Sequence, residues 1–266
     1  MTRIILMIWF DLYSLEKINY NLILFQRNFM MYKKKETMLK LSNKILKDLR
    51  ALDTPTVCNA LEIICPDKRD RGFSVLPFFC VRPKLPSIVG YARTARYRSM
   101  KRPVQASDID GYYTYIAEGG PLPSVAVIED MDESPGYGAF WGEVNTNVHY
   151  GLGCIGVITN GSVRDIPDSH KKFQMLAGMT NPAHAWSYIV DWGVEVTVHG
   201  MEVNSHDLIH ADMHGAVVIP EESADKVIEV AKKISIRENI LISASQKPGF
   251  NIDKLRVAWK GMSEIH

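Results

Sequence analysis

The chain has 266 residues, 46% of them hydrophobic and 23% charged, the balance of an ordinary globular protein rather than a disordered or fibrous one. Its formal net charge is only +1, so it carries no long-range field to attract nucleic acid or an anionic membrane, and neither is expected as a partner. The four cysteines, Cys58, Cys65, Cys80 and Cys154, form neither CxxC pairs nor a Cys/His zinc spacing, which points to reduced thiols in a cytoplasmic protein.

In chain order, the first apolar run is Ile4-Ile5-Leu6-Met7-Ile8-Trp9-Phe10. Asp11 ends it well short of the ~20 residues a membrane helix needs. No small-residue cleavage site follows it, as a signal peptide would require. The basic stretch Met30-Met31-Tyr32-Lys33-Lys34-Lys35-Glu36 reads as a linker, and Met38 follows. Residues 1–38 are therefore expected to be an extension, poorly ordered or a start-site artefact. The functional domain is expected over 39–240, with 241–266 as a C-terminal tail.

From Leu39 the pattern becomes periodic. Leu41, Ile45, Leu46, Leu49 and Leu52 recur at helical spacing, and Asp53-Thr54-Pro55 marks a stop and restart. Asp53 or Thr54 can cap a second helix, with Pro55 in its first turn and Val57, Leu61 and Ile64 on its buried face. Ile88 to Tyr97 alternates like a half-exposed strand, and Ser124 to Glu129 reads as a buried one. Glu143 to Tyr150 predicts a helix, for which Gly151-Leu152-Gly153 suits a left-handed C-terminal cap. Ile155 to Thr159 is a further buried strand, in an apolar run where Cys154 reads as core filler, and it leads into Asn160-Gly161-Ser162-Val163-Arg164-Asp165. Val194–Val198 and Ala216–Pro220 add strands, and Ala224 to Glu238 predicts a closing amphipathic helix whose Lys226, Lys232, Lys233 and Arg237 form its wet face. One α/β domain with a mixed sheet fits this order.

The chemistry-bearing segment is Gly142-Glu143, followed twenty residues later by Arg164-Asp165. Glu143 opens a helix after a glycine-rich turn, where free backbone N–H groups and the helix dipole favour an anion. Arg164 and Asp165 follow a strand, placing them at its C-terminal edge, the usual place for ligands in α/β proteins. Mg²⁺ or Mn²⁺ takes oxygen ligands and needs only one or two protein carboxylates, which Asp165 and Glu143 can supply directly or through water. The fork of Arg164 suits a substrate carboxylate or a developing enolate oxygen. A 2-oxo acid chelating the ion would then lose a carbon–carbon bond with the metal as electron sink. The bland alternative is a helix cap at Glu143 and a structural Arg-Asp turn.

Among the other residues, His184 lies in the loop Asn181-Pro182-Ala183-His184-Ala185-Trp186, where it either meets the distal end of a substrate or is structural. His149, His210 and His214 are dispersed and make no zinc triad by spacing. Arg93 and Arg96 sit at strand spacing, either on a solvated face or lining a cleft for a second carboxylate.

Gly142-Glu143-Val144-Asn145 together with Gly161-Ser162-Val163-Arg164-Asp165 resembles the signature of the 4-hydroxy-4-methyl-2-oxoglutarate aldolase family, whose relatives include RraA-like regulators of ribonuclease E activity. The segment Asp207 to Pro220 resembles that family's final strand segment, and Gly90-Tyr91-Ala92-Arg93-Thr94 its first, so the likeness spans about Leu46 to Glu238. It implies a single β/β/α domain of the RraA-like, phosphohistidine swivelling-domain-like type. It further implies a lyase forming pyruvate by aldol cleavage of a 4-hydroxy-2-oxo acid, or decarboxylating oxaloacetate, with Mg²⁺ or Mn²⁺. By the resemblance Asp165 is the metal ligand, Arg164 holds the 2-oxo acid and its enolate, and Glu143 holds a water on the metal that shuttles a proton. Gly142, with the backbone N–H groups of Val144 and Asn145, binds the substrate carboxylate. Glu238 is the positional match for an acid that reaches the site from a neighbouring subunit of a homotrimer or homohexamer.

Two departures stand out. Many members carry Asp where Glu143 stands, and the turn before Asp207, usually Pro-Gly-Asp, is Ser205-His206-Asp207 here. The rival reading is a non-catalytic regulator that binds an RNA-processing protein. A third, a phosphoryl-transfer swivelling domain, would need a phosphorylatable histidine on a mobile loop, for which His184 is the only candidate.

Overall fold

The computed structural model describes residues 40–263; the expected 1–38 extension lies outside the described residues. Two helices open this part of the chain, α1 (Asn43–Arg50) and α2 (Thr54–Ile64). Ser42 caps the first by accepting from the Ile45 N–H, and Asp53 caps the second by accepting from the Thr56 N–H. A two-residue strand β1 (Phe79–Cys80) precedes the long β2 (Ile88–Arg98), helix α3 (Ile109–Glu118) and β3 (Ser124–Asp130).

Next come β4 (Ala139–Trp141), α4 (Glu143–Gly151), β5 (Cys154–Thr159), β6 (Ser162–Val163), β7 (Gln174–Ala177) and β8 (Met179–Thr180). The chain continues through β9 (Tyr188–Trp192), β10 (Val196–Val198), β11 (Met201–Val203), β12 (Leu208–Asp212) and β13 (Gly215–Ile219). It closes with helices α5 (Ala224–Ser245) and α6 (Ile252–Ser263).

The main sheet runs β1-β7-β5-β3-β2-β12-β13, with β9 pairing the outer half of β2. Its centre, β2, β3, β5 and β7, is parallel, and the flanking pairs are antiparallel. A second sheet, β4-β6-β8, is wholly parallel. Each of its strands directly follows a parallel strand of the main sheet: β4 after β3, β6 after β5, β8 after β7. The small sheet therefore repeats the order β3-β5-β7 beyond the C-terminal ends of those strands, and both sheets deliver their loops to that edge.

The hairpin β10–β11 packs Val196, Val198, Met201 and Val203 against Ile88, Ala92, Val125, Val127 and Ile158 of the main sheet. That cluster of branched side chains excludes water from one face of the sheet. The sheet is mixed and the domain α/β, as the residue pattern implies. No helix of the described residues is long and apolar enough to cross a membrane.

Three details differ from the sequence reading. Strand β2 is buried at every residue from Ile88 to Ala95 rather than half-exposed, because it lies between β3 and β12 and is covered on both faces. Arg93 on it is 0% exposed, donating to the Pro121 carbonyl at 3.1 Å with its guanidinium 5.9 Å from the Tyr115 ring centre, so it neither faces solvent nor lines an open cleft. Within Asp207 to Pro220 the chain forms the hairpin β12–β13, turned at Met213-His214, with the expected strand at Ala216 as its second arm. Residues 241–266, expected as a tail, contain the end of α5 and the whole of α6, and the closing helix runs to Ser245 rather than Glu238.

Candidate active site

Strands β4 and β6 are neighbours, with Trp141 beside Val163, and the Arg164 N–H donates to the Trp141 carbonyl at 2.8 Å. Their C-terminal ends therefore release Gly142 and Arg164 side by side. Gly142 is extended, and a Cβ built on it would lie 2.6 Å from Asp165 Oδ2 and 3.2 Å from Arg164 Cγ. The glycine is what lets the start of α4 approach the Asp165 carboxylate. Asp165 itself sits at φ +50, a left-handed conformation that Asp tolerates better than most residues. That turn is locked, since the Asp165 carbonyl accepts from the Asp168 N–H at 3.0 Å and the Ser169 N–H at 2.8 Å.

The Arg164 and Asp165 side chains are 35% and 37% exposed and stand 3.7 Å apart, Nε to Oδ2, so both remain open to an incoming ligand. Glu143, the first residue of α4, is exposed. Gly142 provides no side-chain cap, which leaves the first-turn N–H groups of Glu143, Val144 and Asn145 directed out of the helix end. Those groups and the helix dipole favour negative charge at that end. The loop after Asp165 is clipped to the same helix, because Thr146 Oγ1 accepts from the His170 N–H at 3.0 Å.

Behind the helix start lies a buried network that the sequence did not reveal. Asn145 Nδ2 donates to the Phe140 carbonyl at 2.5 Å, and its Oδ1 accepts from the Tyr113 hydroxyl at 2.7 Å. His149 Nδ1 lies 2.7 Å from the Asn145 carbonyl and its Nε2 lies 2.8 Å from the Tyr112 hydroxyl. These contacts assign an Nδ1–H donor and an Nε2 acceptor to a neutral ring. Burial pushes His149 down to about 4, which keeps the ring neutral. Tyr112, Tyr113 and Thr146 carry no local sequence signal for this role, since the partners they reach lie 24 to 37 positions away.

Two expected residues lie elsewhere in the chain. The residues around His184 run beside the beginning of β4: the Ala139 N–H donates to the Ala183 carbonyl at 2.9 Å, and a Cβ on Gly138 would meet the His184 carbonyl at 2.7 Å. That is the opposite end of β4 from Gly142, about 13 Å at the usual strand rise. Glu238 is exposed on α5, a helix that packs on α1, α2 and α6 rather than on β4 or β6. Of the other basic residues, Arg96 forms a two-point pair with Asp191, and His210 is buried between Thr54 Oγ1 and the Leu49 carbonyl. Among the described residues, no group of three or more His, Cys, Asp or Glu side chains gathers as a metal cluster. A cation at Asp165 would therefore be held by few protein atoms, with water and substrate completing its shell.

A family model described as RraA-like, Aldolase/RraA, matches residues 54–218. The chain belongs to this RraA-like family. Its fold is similar to that of an uncharacterized protein from Pseudomonas syringae pv. tomato, at 22% identity and TM-score 0.63, covering 82% of this chain and 95% of the other. It is likewise similar to Streptomyces coelicolor RraAS2, described as an unusual member of the RNase ES inhibitor RraA protein family. That match has 19% identity and TM-score 0.61, covering 76% and 97% of the two chains. A third structure, from work on cellulases of gut-associated microbes, matches at 18% identity and TM-score 0.63, covering 76% and 89%. Comparison with curated proteins gives no match. The RraA-like family embraces lyases and ribonuclease regulators, so the role of this member has to be argued from its site.

Proposed function

We propose that this RraA-like protein is a divalent-metal-dependent carbon–carbon lyase acting on a small 2-oxo acid, by aldol cleavage of a 4-hydroxy-2-oxo acid or by decarboxylation of oxaloacetate. The observation that carries the reading is the approach of Gly142 to Asp165, which puts a carboxylate, a guanidinium and a bare helix start around one point. An all-oxygen donor set with a half-open carboxylate fits Mg²⁺ or Mn²⁺, and the missing Cβ at Gly142 keeps the space beside Oδ2 clear. Asp165 would hold the ion, and Glu143 would reach it directly or through water. When bound, the ion acts as a Lewis acid that draws electron density from the 2-oxo group.

The N–H groups of Val144 and Asn145 fix the substrate carboxylate, and Arg164 pairs with the oxygen on which negative charge develops. In aldol cleavage the C4 hydroxyl gives its proton to a water held by Glu143, and the C3–C4 bond breaks. The bonding pair passes to C3 and the enolate oxygen, C4 becomes a carbonyl, and C3 takes a proton back to give pyruvate. In decarboxylation the same bond breaks to release CO₂, and the same enolate is protonated. Glu238 would enter as a neighbour's residue in a homotrimer or homohexamer, while His184, a full β4 length from Gly142, lies beyond the reach of so small a substrate.

The test is pyruvate release by the purified protein with Mg²⁺ or Mn²⁺ and a panel of 2-oxo acids, repeated with Asp165→Ala and Arg164→Ala. Full activity in either variant removes the reading. No turnover, with tight stoichiometric binding to an RNA-processing protein, would favour the regulatory role instead.

A further inference from the structure

A second feature adjoins the candidate site. Residues Asn147 and Tyr150 of α4 face Asp168, Ser169, His170, Lys171 and Lys172 across a concavity of about 300 Å³. We propose that this concavity is an oxyanion subsite, in which Lys172, Lys171 and His170, backed by Arg82, receive a carboxylate or phosphate group.

The first argument is charge. Arg82 is anchored behind the loop, its Nη2 donating to the Ser169 carbonyl at 2.9 Å and to Ser169 Oγ at 2.8 Å. Its Nη1 is buried without a hydrogen-bond partner. Among the described residues, none of Arg82, Lys171 and Lys172 forms an ion pair, and Asp168 is the only acid lining the space. Lys171 Nζ bonds only the Pro167 carbonyl, which orders the side chain and leaves its charge unneutralised. With one acid against this positive charge, an added anion would be stabilised there. The His170 ring reports the same field: it is lowered by partial burial and then by the positive charges of Lys172 and Arg82.

The second argument is construction. His170 is stacked on Tyr150 with ring centres 3.8 Å apart, and its backbone is tied to Thr146, so the ring is held in place rather than free in solvent. The third is position. Glu143 and Asn147 lie at i and i+4 on one face of α4, about 6 Å apart along the axis, so the near wall of the concavity is one helical turn from the candidate catalytic end. The oxyanion therefore has two possible sources, the far carboxylate of a substrate seated at Asp165 or a free inorganic anion. Only the first source rests on the lyase reading.

The experiment uses the full chain with Mg²⁺ and follows the His170 ring by NMR while inorganic phosphate, 2-oxoglutarate or 2-oxobutyrate is added. 2-Oxoglutarate carries a second carboxylate but no 4-hydroxyl, so it is not an aldol substrate, and 2-oxobutyrate lacks the second carboxylate. The subsite predicts that phosphate shifts the His170 resonances and that Lys172→Ala weakens its binding about tenfold, the loss of one charge-assisted contact. If 2-oxoglutarate competes with phosphate and 2-oxobutyrate does not, the occupant is the substrate's own carboxylate; if neither competes, it is a free anion. Absence of a phosphate-dependent shift, or unchanged affinity in Lys172→Ala, overturns the proposal. Because nothing is turned over, a lack of pyruvate release would sink the lyase reading and leave this measurement intact.

Discussion

Gly142 and Asp165 are matched as a space and the group that fills it: the Asp165 Oδ2 lies 2.6 Å from where a Cβ at position 142 would stand. The backbone of Gly142 is extended, at φ −160, so alanine can adopt it without strain. Gly142→Ala therefore acts chiefly by displacing the Asp165 carboxylate, with a smaller shift of the Arg164 side chain, whose Cγ would lie 3.2 Å from the new Cβ. Since a misplacement of about 1 Å can cost ~10²-fold in rate, we expect kcat for pyruvate release to fall by about that factor. The thermal midpoint should move by no more than a few degrees. Wild-type kcat in this variant would show that Asp165 is not positioned for catalysis.

Asp165 also allows its charge to be separated from its backbone. Asn accepts the left-handed conformation as Asp does, so Asp165→Asn keeps the turn closed by the Asp168 and Ser169 N–H groups while removing the negative charge. Mn²⁺ affinity, measured by titration calorimetry, should fall at least about tenfold, as expected when a charged ligand becomes a neutral one. Chelation of the wild-type protein should abolish pyruvate release, and Mg²⁺ or Mn²⁺ should restore it. Unaltered Mn²⁺ binding in Asp165→Asn would move the ion to another residue.

Arg164 offers a complementary test of shape rather than charge. A lysine keeps the positive charge and loses the planar fork. Arg164→Lys is expected to lower kcat/KM for a 2-oxo acid by about a hundredfold, in the range seen when one donor to a developing oxyanion is removed. A drop confined to KM would mean that Arg164 binds the substrate carboxylate and takes no part in stabilising the enolate.

How much of this was legible in the sequence depends on how far apart the partners lie. The α4 helix was readable because its start, Gly142-Glu143, and its end, with Gly153 at φ +85, are local signals. Arg164-Asp165 was readable as the sequel to a strand, although the two-residue β6 that sets it beside Gly142 was not. Strand β2 was misread because the charges of Arg93 and Arg96 imitate partial exposure, although three residues apart they point to opposite sides of the sheet. What covers Arg93 is Tyr115 and Pro121, brought in by α3 and its following loop, more than twenty positions away. The continuation of α5 and the whole of α6 were missed for a related reason: the helices pack on one another, and that partnership has no signature in either segment alone. The tie from Thr146 to His170 and the anchor from Arg82 to Ser169 span 24 and 87 positions, beyond the reach of any motif.

The buried His149 links the helix start to the stability of the whole domain. Its ring is neutral in the folded state, with burial lowering it from 6.5 to about 4, and it would titrate normally in the unfolded chain. Between those two values the unfolded state binds a proton that the folded state refuses, so stability falls as pH drops from about 6.5 to about 4. Above that window the contribution is complete, and across it roughly 3 kcal/mol is lost. His210, also buried and lowered chiefly by desolvation, tilts the curve the same way, so the comparison has to be made between variants. His149→Gln removes one titration and leaves His210 in place. Its denaturant midpoint should start lower at pH 7.5, because the Tyr112 hydroxyl and the Asn145 carbonyl lose their partner. It should then decline less steeply on acidification than that of the wild type. Parallel curves for the two proteins would mean that His149 takes up its proton in the folded state as readily as in the unfolded one.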